Sequence, residues 1–574
     1  LRDMYLRYLD SPFDLRYPEL VAERRALLSV DGRLFRQPLI EPIPAYCSSN
    51  QTFRAIAQAR LGSSWSNTEI TDLGDFVSLD LFPANRLPYA HQDQVFTESV
   101  VNGNDVVVTT GTGSGKTECF LLPVIAALIR ESASWGQPGP RDARWDWWNH
   151  RQSPTTNRWL PRIPQRNHED SGVRPSAMRA IILYPLNALV EDQLGRMRTV
   201  LDSDTARNWF QTRRAGNRFY FGRYTGRTPV SGFHNSSKET KLRDELRLME
   251  QEAQRVAGHS AARFFPRMEG GEMWSRWDMQ DSPPDVLITN YSMMNIMLMR
   301  SLETPVFDAT RQWLEADSSN VFHLVVDELH TYRGTPGTEV AYLIRVLLDR
   351  LGLTPDSRQL RIIASSASLT GDASGLDYLE GFFGRDRNRF RIIGGNTVDP
   401  NPAAVQTLRS HAAALTDLGQ SMRASPALPL QTAAQVFHAA VGAPATGAGA
   451  SAEQILYTSF EHLQAADGLR IACMTGGPGT APQPSFPSDI GKQLFPALPA
   501  ADRETAVDGL LAGLCATRNP QDAALLPVRA HLFFRNLQGL WACSKPQCSA
   551  VPARPSPCPV GQLHYTPTLT CQCG

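Results

Sequence analysis

Val106-Val107-Val108-Thr109-Thr110-Gly111-Thr112-Gly113-Ser114-Gly115-Lys116-Thr117 is an apolar run, a glycine-rich turn and a Lys-Thr pair. A predicted helix, Glu118–Arg130, follows. In this arrangement glycines free the backbone N–H groups to close around phosphate oxygens. The helix N-terminus adds its dipole. Thr112, Gly113, Ser114 and Gly115 are then the cradle, Lys116 reaches the β- and γ-phosphates, and the Thr117 hydroxyl ligates Mg²⁺. One position departs from the strict pattern: Thr110 stands where a glycine is usual.

The surrounding runs extend this reading. Ile181-Ile182-Leu183, Phe219-Tyr220-Phe221, Val286-Leu287-Ile288, Leu324-Val325-Val326, Ile362-Ile363 and Ile392-Ile393 alternate with helical stretches. Continuous apolar runs of this kind fit a parallel sheet covered on both faces, so the predicted class is α/β, a P-loop sheet lobe over 81–396. Two insertions interrupt it, 131–178 and 231–284. The second carries a charged helix, Glu239–Arg255, expected as a solvated arm. Residues 1–80 are expected as a helical segment, with Pro38–Pro44 extended. Residues 397–539 read as helical appendages with a flexible linker at 442–452, and 540–574 as a cysteine-rich module.

Leu324-Val325-Val326 ends in Asp327-Glu328-Leu329-His330. A carboxylate at a strand end beside a phosphate loop is where Mg²⁺ finds its second protein contact. Asp327 is expected there, and Glu328 is placed to polarise an attacking water.

At this point the chain resembles superfamily 2 helicases of the DEAD/DEAH-box type. Lys116-Thr117 and Asp327–His330 match their first two motifs, and further matches follow in order. Tyr89-Ala90-His91-Gln92 resembles the Q motif, which implies that Gln92 reads adenine and that the nucleotide is ATP. Tyr184–Leu189, with Pro185 and Asn187, resembles a motif that touches the nucleic-acid backbone. Thr225-Gly226 and Thr289-Asn290 resemble two more such elements. Ser366-Ala367-Ser368 stands where the family has Ser-Ala-Thr, which with His330 implies coupling of nucleotide state to strand grip. Asp327–Gly337 and Leu532–Cys543 also resemble large bacterial helicases of the MrfA type and of the Druantia and DISARM phage-defence systems. The resemblance implies a second RecA-like lobe bearing catalytic arginines. No matching run follows residue 397, so the chain alone is expected to bind nucleotide and hydrolyse it weakly.

The 574 residues give a prior of three to four domains. Lys+Arg and Asp+Glu are 57 each, which excludes a charged disordered tail protein. The longest apolar run, Cys119–Ile129, is too short for a bilayer, so no membrane partner is expected. A start at Leu1 and an end just past Cys573 read as a piece of a longer protein. Nine cysteines, five of them in the last 32 residues, with no export signal, suggest metal binding in the cytoplasm. Cys543-x4-Cys548 and Cys571-x-Cys573 can hold Zn²⁺ tetrahedrally, with Cys558 as an alternative ligand.

The expected function is ATP-dependent unwinding of or translocation on nucleic acid, DNA more than RNA, with defence-system subunits as partners. The alternative is an ATP-clamped loading subunit that recruits partners without unwinding. Trp145, Trp147 and Trp148 in the first insertion are secondary candidates for stacking on a strand. Packing of a long loop is their plainer reading.

Overall fold

The computed structural model describes every residue except 1, 12–14, 31, 84–85, 112, 151–159, 167, 169–173, 424–428, 448, 475, 477–480, 521, 538 and 553–557. The described residues include eleven strands: β1 (Leu39–Pro42), β2 (Asp105–Val108), β3 (Ala180–Tyr184), β4 (Phe221–Tyr224), β5 (Val286–Asn290), β6 (Phe322–Val326), β7 (Leu360–Ser365), β8 (Phe390–Ile393), β9 (Val528–His531), β10 (Trp541–Ala542) and β11 (Leu563–His564). The chain divides into two compact units. One is Tyr46–Thr397; the other joins Leu1–Ala45 to Val398–Gly574.

In the first unit β2 to β8 form one parallel sheet in the order β4-β5-β3-β6-β7-β2-β8. Successive residues face opposite layers. Ile182, Ile288, Val325 and Ile363 pack with Phe120 and Leu128 of the helix Lys116–Ser132. Ile181, Leu183, Leu287 and Leu324 pack with Met294, Ile344 and Leu347 on the other side. Both layers are buried, which is why the strands read as unbroken apolar runs. The apolar stretch Cys119–Ile129 lies within that buried helix, and no helix among the described residues is long and apolar enough to cross a membrane. Phe219 and Tyr220 precede β4 rather than belong to it.

The two insertions build one small core. Trp147 and Trp148 pack with Leu242 and Leu246 of the helix Ser236–Arg255 and with Trp274 and Trp277. Trp148 Nε1 donates to Glu250 Oε2 at 3.0 Å. The Arg243 guanidinium lies 4.7 Å from the Trp147 ring centroid and donates to the Trp147 carbonyl. The expected solvated arm is therefore corrected. Leu242, Arg243 and Leu246 recur on one face of this helix, and the tryptophans cover that face.

Residues 1–80 do not form one segment. In the second unit β1 pairs antiparallel with β9, from Leu39↔His531 to Pro42↔Val528. The helix Asn67–Asp80 instead places Leu73, Phe76 and Val77 in the sheet core of the first unit. After Val398 the second unit is a helical core around Leu415, Phe437, Leu456, Phe460 and Leu510. Helices Ala412–Arg423 and Ala500–Ala516 meet backbone to backbone. A Cβ at Gly509 would lie 2.1 Å from the Leu415 carbonyl oxygen, so glycine is required there. The stretch expected as a flexible linker runs between two helix caps. Gly442, at φ +64°, ends one helix, and a capping box on Ser451 begins the next.

Candidate nucleotide site and cysteine cluster

β7 lies between β2 and β6, so the turns that follow β2 and β6 flank the end of one strand. Open α/β sheets bind ligands at this carboxyl edge. The register pairs Val326 with Ala364 and Val108 with Ser365, which brings Asp327 beside Ser365. The Ser365 hydroxyl donates to Asp327 Oδ1 and accepts from the Glu328 N–H at 3.1 Å. The Ser366 N–H donates to the Val108 carbonyl at 2.9 Å.

The loop arrives from the other side. Gly113 and Gly115 have φ of +84° and +78°, a conformation that side chains resist. Lys116 opens the helix, and its Nζ donates to Glu328 Oε1 at 3.3 Å. The Thr117 hydroxyl accepts from Gln193 Nε2 at 3.2 Å. The Thr110 departure has a local explanation. Its hydroxyl hydrogen-bonds to that of Ser114, which donates to the Gly111 carbonyl at 2.7 Å. Thr112 lies outside the described residues.

Gln92 is buried, with both ends of its amide engaged. Nε2 donates to the Gly115 carbonyl at 3.2 Å, and Oε1 accepts from the Tyr89 N–H at 2.8 Å. The residue expected to read adenine thus braces the loop. A Cβ at Gly115 would lie 2.2 Å from its Nε2, so only glycine lets the brace close. His91 adds a second brace, its Nε2 lying 2.9 Å from the Ser114 carbonyl oxygen. Burial holds the imidazole below its ordinary pKa.

Burial pushes the Asp327 carboxyl above its ordinary range. The Ser365 hydrogen bond opposes this, and the neighbouring Glu328 charge adds to it. Glu328 sits at φ +50°, a left-handed backbone unusual for a non-glycine residue. His330 Nδ1 accepts from the Ala367 N–H at 3.3 Å, and Arg333 donates to the Ser368 hydroxyl at 2.8 Å. The acidic box is thereby tied to residues 366–368.

The expected strand contacts divide into two kinds. Asn187 is exposed, and its Oδ1 accepts from Asn290 Nδ2 at 2.7 Å. Asn290 also caps the helix Tyr291–Met299. Pro185 is half-buried and Gly226 exposed. Thr225 and Thr289 are buried, and the Thr289 hydroxyl is spent on the Tyr224 carbonyl at 2.7 Å. Those two threonines shape the strand ends, so any contact there falls to the backbone and the asparagines. Ser365 belongs to none of the sequence motifs; only the strand register reveals it.

The donors here suit a magnesium nucleotide: a glycine-lined loop, an ammonium, a hydroxyl and two carboxylates. The four cysteines also converge, their sulfurs lying within 4.8 Å of one another. Cys543 Sγ is 3.6 Å from Cys573 Sγ, and Cys548 Sγ is 3.6 Å from Cys571 Sγ. Sulfurs around one zinc at ordinary bond lengths sit about 3.8 Å apart, whereas a disulfide needs about 2 Å. A Cβ at Gly561 would lie 2.4 Å from Cys548 Cβ, so the turn facing the cluster has room only for glycine. The set fits zinc. Cys558 packs instead with Leu20 and Leu563.

Residues 89–217 match the family model described as DEAD/DEAH box helicase. The chain carries a DEAD/DEAH box helicase domain. A helicase domain of this class is in general ATP-dependent and works with Mg²⁺. The chain is also homologous to the Druantia protein DruE of Escherichia coli strain UMEA 4076-1, at 32% identity over 626 residues. That match covers 99% of this chain and 31% of DruE, so the chain spans under a third of that relative. Among solved structures, the helicase MrfA bound to DNA is 16% identical, with 75% of this chain and 44% of that chain covered at a TM-score of 0.34. The helicase domain of Pyrococcus furiosus Hef is 12% identical, with 67% and 59% covered at a TM-score of 0.24.

Proposed function

We propose that this chain is the ATP-binding lobe of a larger DNA helicase or translocase serving bacterial phage defence or repair. The observation that carries this reading is the meeting of Lys116, Asp327 and Glu328 at the end of β7, with Thr117 next to Lys116 in the chain. Lys116 takes the β- and γ-phosphates, exchanging the Glu328 carboxylate for them. Thr117 and Asp327 hold Mg²⁺, which when bound neutralises charge on the phosphates. Glu328, released from the lysine, accepts a proton from the attacking water.

His330, Ser366 and Ser368 carry the consequence of that chemistry to the strand. Asn187 and Asn290 present side-chain amides to the nucleic-acid backbone, with Pro185 and Gly226 beside the path. The arginines that stabilise the transferring phosphoryl group come from a second RecA-like lobe outside this chain. Cys543, Cys548, Cys571 and Cys573 hold a structural Zn²⁺.

Calorimetric titration with a non-hydrolysable ATP analogue and Mg²⁺ tests the reading. Binding that disappears in Lys116→Ala and persists in Asn187→Ala is expected. Equal binding by wild type and Lys116→Ala would reject the site.

A further inference from the structure

In the unit formed by Leu1–Ala45 and Val398–Gly574, a cavity of about 290 Å³ opens between residues 32–39 and 533–535. Arg33, Arg36 and Arg535 line it together with Phe486, Phe533 and Phe534. No acidic side chain lines it among the described residues. The phenylalanines are 36%, 49% and 41% exposed, large values for aromatic rings grouped on one patch. Arg36 and Arg535 are exposed, and among the described residues neither forms an ion pair. Gathering guanidinium groups without carboxylates is unfavourable unless an anion joins them.

The patch is firmly held. The Arg36 N–H donates to the Phe533 carbonyl at 3.3 Å, and the Arg535 N–H donates to the Leu34 carbonyl at 2.7 Å. The edge of Tyr5 packs on Phe534 at 5.3 Å, and its hydroxyl donates to the Arg535 carbonyl. Arg33 is held by the Leu27 carbonyl and lies 5.8 Å from the Tyr565 ring centroid. Among the described residues Phe486 and Phe533 form no ring contact, and Arg36 and Arg535 form no ion pair.

We propose that this patch is a second contact for single-stranded nucleic acid, remote in sequence from the helicase motifs. Bases stack on Phe486 and Phe533, and Arg36 and Arg535 take the flanking phosphates. Flat rings interleaved with unpaired guanidinium groups suit a polyanion with π-faces, and stacking on them is tolerant of sequence. The assignment rests on the nucleic-acid reading of the helicase lobe, which supplies the strand.

Anisotropy of a labelled oligo-dT, titrated with the full chain at several salt concentrations, tests it. Phe486→Ala with Phe533→Ala should weaken binding about thirtyfold or more, and Phe533→Tyr should keep it. Arg36→Ala with Arg535→Ala should lower the slope of log affinity against log salt by about 1.4. ATP-analogue binding and the melting temperature should not change in any of these. The lobe is tested separately with Asn187→Ala and Asn290→Ala. Loss of binding in the asparagine variants alone would overturn the patch and leave the lobe reading standing. Loss in the patch variants alone would uphold the patch and reject the lobe contact. No binding by the wild-type chain would overturn both.

Discussion

Ser365 donates its hydroxyl proton to Asp327 Oδ1 while accepting from the N–H of Glu328. One side chain at the end of β7 thus holds the Asp327 carboxylate and the Glu328 backbone together. It also opposes the burial that pushes the Asp327 carboxyl toward its neutral form.

Ser365→Ala should therefore weaken metal binding more than folding. Removing a hydrogen bond to a metal-ligating carboxylate typically costs 10- to 100-fold in metal affinity. The Mg²⁺ concentration that half-saturates ATP-analogue binding should rise by about tenfold or more. An unchanged magnesium requirement would mean that Asp327 is not oriented through Ser365.

Metal analysis of the purified chain should find one zinc, lost in Cys571→Ser. Chelation should lower the melting temperature, because the cluster sets the β10–β11 pair and Leu563 N–H donates to Glu23 Oε1 at 2.8 Å. The Tyr565 hydroxyl likewise donates to the Arg33 carbonyl at 2.8 Å, so the N-terminal helices should loosen with it. Cys558→Ser should keep the zinc.

The insertion core makes a separate prediction. Trp148 is fully buried, and a buried tryptophan truncated to alanine costs about 3–5 kcal/mol. Trp148→Ala should expose the Ser236–Arg255 helix to limited proteolysis. ATP-analogue affinity should stay within about twofold, since none of the site residues belongs to that core. A collapse of nucleotide binding would show that the insertions brace the phosphate loop.

Asp202 gives a pH dependence. Burial raises its carboxyl to about 7, against the pull of Arg218 and Arg207. The folded chain keeps that proton up to about pH 7, whereas the unfolded chain releases it near 3.8. Stability is therefore lost as pH climbs through that window. Asp202→Asn should melt higher than wild type at pH 8 and within error of it at pH 4. An equal difference at both pH values would argue against titration.

The sequence carried the sheet because β2, β3, β5, β6 and β7 are buried on both faces and so announce themselves as apolar runs. It carried Lys116, Thr117, Asp327 and Glu328 because phosphate chemistry demands those types at strand ends. It did not carry Ser365, whose role depends on the register between β6 and β7. Nor did it carry the union of residues 1–45 with those from 398 onward, which depends on the pairing of two strands far apart in the chain, Leu39↔His531. The helix Ser236–Arg255 reads as solvated because half of its residues are charged; only the facing tryptophans reveal its buried side. Gln92 was legible as a residue beside the loop, while the partners of its amide were not.

The most direct test of the central claim is ATP hydrolysis by this chain, alone and with single-stranded DNA, duplex DNA or RNA, with Glu328→Gln as control. Weak hydrolysis that DNA stimulates and Glu328→Gln abolishes is the predicted result. Hydrolysis that persists in Glu328→Gln, or that no nucleic acid stimulates, would contradict it.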